Sequence, residues 1–282
     1  MSSRGPLLVF GAATLWGTTG TAQALGPDGI TPETVALMRM LGGSLLLLHA
    51  SRAGMAVPIR SLPRKPLLLA IAAMASSQPL FFEGVERTGV AIGTIVTIGS
   101  GPLIAGVLAW LVRREPVSGS WFVATALSIT GAVLLVSGGE SAGVDGAGLV
   151  FAIGAGMAWA VYLVWAKSVF EATDPVFAAA VIFAGAAIVL APTAVFADAS
   201  WIVTSRGLAV VLWLMPTTAL SYMLFSRGLE ATPVAVAATM TLAEPLTAAV
   251  LGLLVLGEPA RVTTIGGIGL MVVGLLVLAR AE

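Results

Sequence analysis

Residues 101–116 read GPLIAGVLAWLVRREP, and residues 244–259 read EPLTAAVLGLLVLGEP. The two stretches lie 143 residues apart and share an early proline, a run of small and apolar residues, and a closing Glu-Pro. At the same offset Trp16 falls on Trp159, Pro32 on Pro175, Gly42 on Gly185, Phe82 on Phe225 and Gly131 on Gly274, with no gap. The chain is one unit written twice, and the content of that unit decides the fold.

That content is apolar. Of 282 residues, 58% are hydrophobic and only 10% charged, and the mean hydropathy is +1.01. Soluble domains carry about 25% charged residues, so the bilayer is the solvent this composition fits. There is no cysteine, a single histidine (His49) and no net charge. Thiol chemistry, thiolate metal sites and a nucleic-acid surface are thereby excluded, and no cofactor or metal is expected. No Gly-rich loop ending in Gly-Lys-Ser/Thr is present, which excludes ATP hydrolysis by this chain. No histidine stands near a membrane serine and no Asp-rich motif occurs, so an enzyme is not expected.

Apolar runs long enough to span, about 20 residues each, fall near 5–25, 32–50, 66–87, 90–113 and 118–138. The second half repeats them near 146–168, 175–197, 207–229, 233–256 and 261–280. They lack the alternation of barrel strands, so the expected fold is an all-α integral membrane protein of ten transmembrane helices. The first run lacks a small-residue cleavage site and is read as a retained helix. The repeats are expected over 1–140 and 141–282, together forming one transmembrane domain. Five helices per repeat is an odd number, so the halves should be inverted relative to each other, the arrangement in which transporters bind substrate at the repeat interface near mid-membrane. With the N-terminus inside, ten Lys and Arg fall in inner segments, three in outer segments, and Arg39 within the second helix. The positive-inside rule then places both termini in the cytoplasm.

The paired Trp16 and Trp159, the proline and terminal Glu of the fourth and ninth helices, and the 5+5 organisation resemble the EamA-type exporters of the drug/metabolite transporter superfamily. The resemblance implies a bacterial-type inner-membrane protein that exports small metabolites, with amino acids first and multidrug or lipid-precursor export as the alternative. The aromatic amino-acid exporter branch is the first comparison. Gly99-Ser100-Gly101 leaves space where a ring would narrow the cavity, which favours a broader range.

Several residues could carry transport. Pro102 and Pro245 fall inside helices, each removing a donor and crowding the carbonyl four residues back, at Ile98 and Thr241; they are candidate hinges. Glu244 and Arg39 are charges at membrane depth, where such groups face a bundle interior or a water-filled cavity. Held apart, they would suit the two ends of an amino-acid zwitterion; paired with each other, or Arg39 with Glu33, they would be structural. Trp16 and Trp159 could sandwich a side chain, with Tyr162 one turn on. Gln78 and Phe82 on the third helix, Tyr222 opposite them, and Thr97 and Ser100 on the fourth complete the candidate lining. Trp110, Trp121 and Trp201 lie near helix ends and read as interfacial anchors. The expected partners are a small-molecule substrate, an amino acid or similar metabolite, and membrane lipids. A monomer is the expected form.

Overall fold

A computed structural model describes residues 4–51, 58–137, 145–194 and 196–281. Arg52, counted among the inner cations, and the repeat boundary expected between residues 140 and 141 lie outside the described residues. The first repeat holds α1 (Arg4–Ala24), α2 (Pro32–Ala50), α3 (Arg64–Thr88), α4 (Val90–Leu108) and α5 (Gly119–Val136). The second holds α6 (Gly146–Phe170), α7 (Pro175–Ala194), α8 (Ser205–Glu230), α9 (Val234–Met240), α10 (Ala243–Leu254) and α11 (Val262–Ala281). Short 3-10 turns at Ile59–Ser61 and Ser200–Val203 precede α3 and α8. The helix starts follow local chemistry. Ser118 Oγ, Asp145 Oδ1 and Thr204 Oγ1 accept from Trp121, Ala147 and Gly207 N–H at the heads of α5, α6 and α8, and each satisfies a donor the helix cannot.

Among the described residues, eight helical segments are long and apolar enough to cross a membrane by composition alone, with α9 and α10 counted as one span. α1 and α2 fall outside that set because α1 carries Thr14, Thr18, Thr19, Thr21 and Gln23, and α2 carries Glu33 and Arg39.

The closing Glu-Pro of each repeat is a helix stop. α4 continues as a π turn over Ala109–Arg113; Arg114 then turns left-handed at φ 55°, and Glu115 N–H reaches back to the Ala109 carbonyl at 3.2 Å. In the second copy Gly257 sits at φ 69° and Glu258 N–H reaches the Gly252 carbonyl at 3.0 Å. This is helix capping by a left-handed residue.

The two prolines are not equivalent. Pro102 lies within α4. Pro245, expected inside a helix, stands instead in the first turn of α10, where no intrahelical donor is required of it. The span breaks at Thr241-Leu242, and the Thr241 carbonyl accepts from Glu244 N–H at 3.0 Å rather than being left open.

The strongest helix pairings join the two halves. α1 packs on α8 and α10, α6 on α3 and α4, α2 on α7, and α5 on α11. The contacts are reciprocal at the 143-residue offset. Gly5 abuts Ala231, and its equivalent Gly148 abuts Thr88; Gly131 abuts Met271 and Gly267, and Gly274 abuts Ser128 and Ala124. Small residues at these crossings let backbones approach closely, which is how helices associate where lipid removes the hydrophobic drive. Of the run Gly266-Gly267-Ile268-Gly269, only Gly267 does this; Gly266 and Gly269 face open space. Trp121 and Trp201, expected as interfacial anchors, are instead buried struts: their indole N–H groups donate to the Ala235 carbonyl and to Thr34 Oγ1, each at 2.9 Å. Trp110 is exposed.

Candidate functional site

Trp16 of α1 and Trp159 of α6 meet edge to face at the centre of the bundle, with ring centroids 5.7 Å apart. Tyr222 and Phe225 of α8 each lie 5.0 Å from Trp16. Tyr162 stacks on Trp159 at 5.3 Å, and Phe183 of α7 meets Tyr222 at 4.3 Å. Rings from both repeats thus build one floor, in the offset and edge-on geometries that the aromatic quadrupole favours. Trp16 Nε1 and Tyr162 Oη are buried there without a hydrogen-bond partner among the described residues. Such groups are costly to leave unmade.

Beside the floor stand the two membrane charges. Arg39 of α2 donates from Nε to Thr218 Oγ1 of α8 at 3.2 Å. Glu244 is exposed to water although Leu242 and Ala243 just before it are buried. Arg39 and Tyr222 are near enough to interact electrostatically with Glu244. Glu244 thus keeps accessible surface in the N-terminal turn of α10, within electrostatic reach of Arg39 and Tyr222. Among the described residues no ion pair joins Arg39 to Glu244 or to Glu33, so neither structural pairing considered for Arg39 forms.

The other expected lining residues separate into two groups. Gln78 is half-buried on α3 with no hydrogen bond among the described residues. Phe82 pairs with its neighbour Phe81 at 5.5 Å and stays outside the ring cluster. Thr97 Oγ1 donates to the Ala152 carbonyl of α6 at 3.0 Å, Ser100 Oγ to its own Thr97 carbonyl, and Ser100 fills the notch over Gly156. Both hydroxyls are committed to backbone, Thr97 tying α4 to α6 and Ser100 bonding within α4. Phe183, Phe225 and Thr218 were not anticipated. Phe225 could have been found, because the repeat register pairs it with Phe82; nothing in the local sequence marks the other two.

A second constellation lies at the end of the bundle that holds Arg4. Glu115 accepts from Arg113 Nε at 2.8 Å, from Lys167 Nζ at 3.0 Å and, through its other oxygen, from Val234 N–H at 2.6 Å at the head of α9. Lys167 also donates to the Thr232 carbonyl at 2.6 Å, and Arg113 to Ser168 and Glu171. Burial would raise the Glu115 carboxyl, but Arg113, the Val234 amide and Lys167 together hold it below the usual carboxylate range. Around this network the packing is dense: every residue of α9 is buried, as is most of α6 from Tyr162 to Phe170. At the opposite end the ionic tie between α3 and α6 is weaker, with Arg87 and Asp145 3.8 Å apart and both more than 40% exposed.

A bundle of apolar helices whose middle presents an accessible acid, a base and an aromatic floor has the make-up of a membrane transporter. The profile of the EamA-like transporter family matches the chain twice, over residues 3–137 and 146–280, and the protein belongs to that family, a ten-helix membrane fold with two repeats. It is 40% identical to the uncharacterized transporter YwfM of Bacillus subtilis over 98% of this chain and 93% of the relative. It is 28% identical to the threonine/homoserine exporter RhtA of Escherichia coli K12, over 98% of this chain and 92% of the relative. A solved crystal structure matches with a TM-score of 0.85 at 19% identity, covering 100% of this chain and 99% of that one, a likeness of fold alone. The family resemblance and ten-helix fold expected from the sequence are borne out.

Proposed function

We propose that this protein is a secondary exporter of small amino acids, working by alternating access from an inner membrane with both termini in the cytoplasm. The observation that carries this reading is that Arg39 and Glu244 lie within electrostatic reach of each other without pairing. A guanidinium suits a substrate carboxylate, a carboxylate suits an ammonium, and their failure to pair leaves both available to a zwitterion. Trp16, Trp159, Tyr162 and Tyr222 form the floor for the side chain, and the unpartnered Trp16 Nε1 offers a donor to a substrate hydroxyl. The 28% identity to an exporter of threonine and homoserine favours small, hydroxyl-bearing substrates over aromatic ones. Gln78 supplements the polar lining.

The halves are taken as inverted repeats of five spans each, related across the reciprocal Gly5 and Gly148 contacts. On this reading the end tied by Glu115 and Lys167 is the cytoplasmic one and is closed, and the site at Glu244 opens outward. Rocking about Pro102 in α4 and the break before Pro245 would open the latch and expose the floor to the cytoplasm. The test is counterflow of a mixed amino-acid panel in proteoliposomes. Saturable exchange of small polar amino acids supports the reading; exchange of drug-like cations alone would replace it with a multidrug exporter.

A further inference from the structure

A groove of about 420 Å³ opens between α1, α8 and α10 at the end of the bundle opposite Arg4. Its walls are largely apolar: Ala22 of α1, Leu25 just past the end of α1, Val210 and Trp213 of α8, and Leu251 of α10. Leu25 and Trp213 are both at least half exposed. Leu7 and Phe10 lie on the same face of α1, at helical spacing from Thr18, Thr21 and Leu25, and are also exposed. The groove thus belongs to the lipid-facing side of the bundle. Of the two threonines at its wall, Thr18 and Thr21, Thr18 Oγ1 is occupied by Trp213 Nε1–H at 3.1 Å. At its mouth stands Arg206, in the first turn of α8, with no hydrogen bond or ion pair among the described residues. Arg206 and Trp213 are seven residues apart on one helix, so their Cα atoms are separated by about 10 Å along the axis. That spacing runs from the headgroup level into the upper acyl region of a leaflet whose hydrocarbon half is about 15 Å thick.

We propose that this groove is a binding site for an anionic phospholipid, with its phosphate on Arg206 and an acyl chain lying along Val210, Trp213 and Leu251. The charge decides the class. An unpaired guanidinium above an apolar slot complements a headgroup of net negative charge, whereas a choline headgroup carries its own cation to the phosphate. Leu251 lies two turns beyond Glu244 on the same face of α10, so a chain in the groove would wedge α1 from α8 on that face.

The test uses the whole protein in phosphatidylcholine vesicles containing a small fraction of phosphatidylglycerol with brominated acyl chains. Trp213 fluorescence is isolated by difference from Trp213→Phe. The expected result is quenching at least twofold stronger than with the same fraction of brominated phosphatidylcholine, with the excess lost in Arg206→Gln. Filling the slot with Ala22→Phe should remove it too. Equal quenching by both lipids, unchanged in Arg206→Gln, would mean that Trp213 merely faces bulk lipid and would overturn the proposal. Competition by inorganic phosphate in the aqueous phase, abolishing the excess as completely as unlabelled phosphatidylglycerol, would point to a phosphate site without the lipid and overturn it equally.

Discussion

The Glu115 carboxylate and the Lys167 ammonium meet at 3.0 Å, and the contact joins the end of α4 in one half of the chain to the end of α6 in the other. Its repeat equivalent does not exist, because position 24 is Ala where the register would require Lys. Glu258 instead stands exposed beside Gly252. The asymmetry gives the bundle one tied end and one loose end. Removing Glu115 as Glu115→Ala takes charge-assisted bonds from Arg113, Lys167 and the α9 head at once. Each such bond contributes about 1.5–3 kcal/mol, so, if the proposed gate is right, loss of even one should shift it roughly 10- to 100-fold toward a state open at the end that holds Arg4. The chain has no native cysteine, which makes the readout clean: Ala235→Cys, at a buried position, should gain reactivity toward a membrane-impermeant maleimide from the inner side. No gain in the Glu115→Ala background would show that the network is not a latch.

The same carboxyl sets a pH dependence. Its folded value lies below the ordinary range, so the stabilisation is fully present above the ordinary carboxylate value and fades as pH falls through the folded one. Labelling of Ala235→Cys, divided at each pH by that of a permanently exposed reference cysteine to cancel the loss of reactive thiolate, should be flat from pH 8 to about pH 5 and rise below that. In Glu115→Gln the acid-dependent rise should be absent.

The seam of α5 and α11 yields a paired prediction. A Cβ at Gly131 would fall 2.6 Å from the Gly267 carbonyl oxygen, whereas one at Gly266 would meet nothing within 4 Å. Gly131→Ala should therefore destabilise by about 1–3 kcal/mol, seen as a lower melting temperature in detergent. Gly266→Ala should be neutral or slightly stabilising.

Trp16 is 4% exposed and touches three other rings. Trp16→Ala should cost about 3–5 kcal/mol and lower expression. Trp16→Phe keeps most of the packing but removes the Nε1 donor. It should fold normally yet raise KM for hydroxyl-bearing substrates more than for alanine.

Much of this molecule is legible in its sequence. All ten spans begin and end within a few residues of their expected limits, because Pro, Gly and charge punctuate each apolar run. The Trp16–Trp159 pair was readable from the repeat register alone. What the register misled about was Pro245: the span breaks at Thr241-Leu242, and α10 then sets its Glu244 carbonyl and Thr247 close against Gly17, a tertiary contact the register does not show. Trp121 and Trp201 were misplaced because closeness to a helix end does not distinguish an indole facing headgroups from one donating to a neighbouring helix. Thr97 and Ser100 share a helix face with the expected lining, but hydroxyls in a membrane seek backbone carbonyls first. The Glu115 network was visible only as a family signature, since its partners Lys167, Thr232 and Val234 come from the other repeat.

The central claim is that Arg39 and Glu244 hold opposite ends of an amino-acid substrate. Counterflow of radiolabelled threonine into proteoliposomes, for the native protein and for Arg39→Gln and Glu244→Gln, tests it most directly. Saturable exchange by the native protein, reduced at least 10-fold in each variant at equal reconstituted amounts, is the predicted result. Native-rate threonine exchange by both variants would contradict the account.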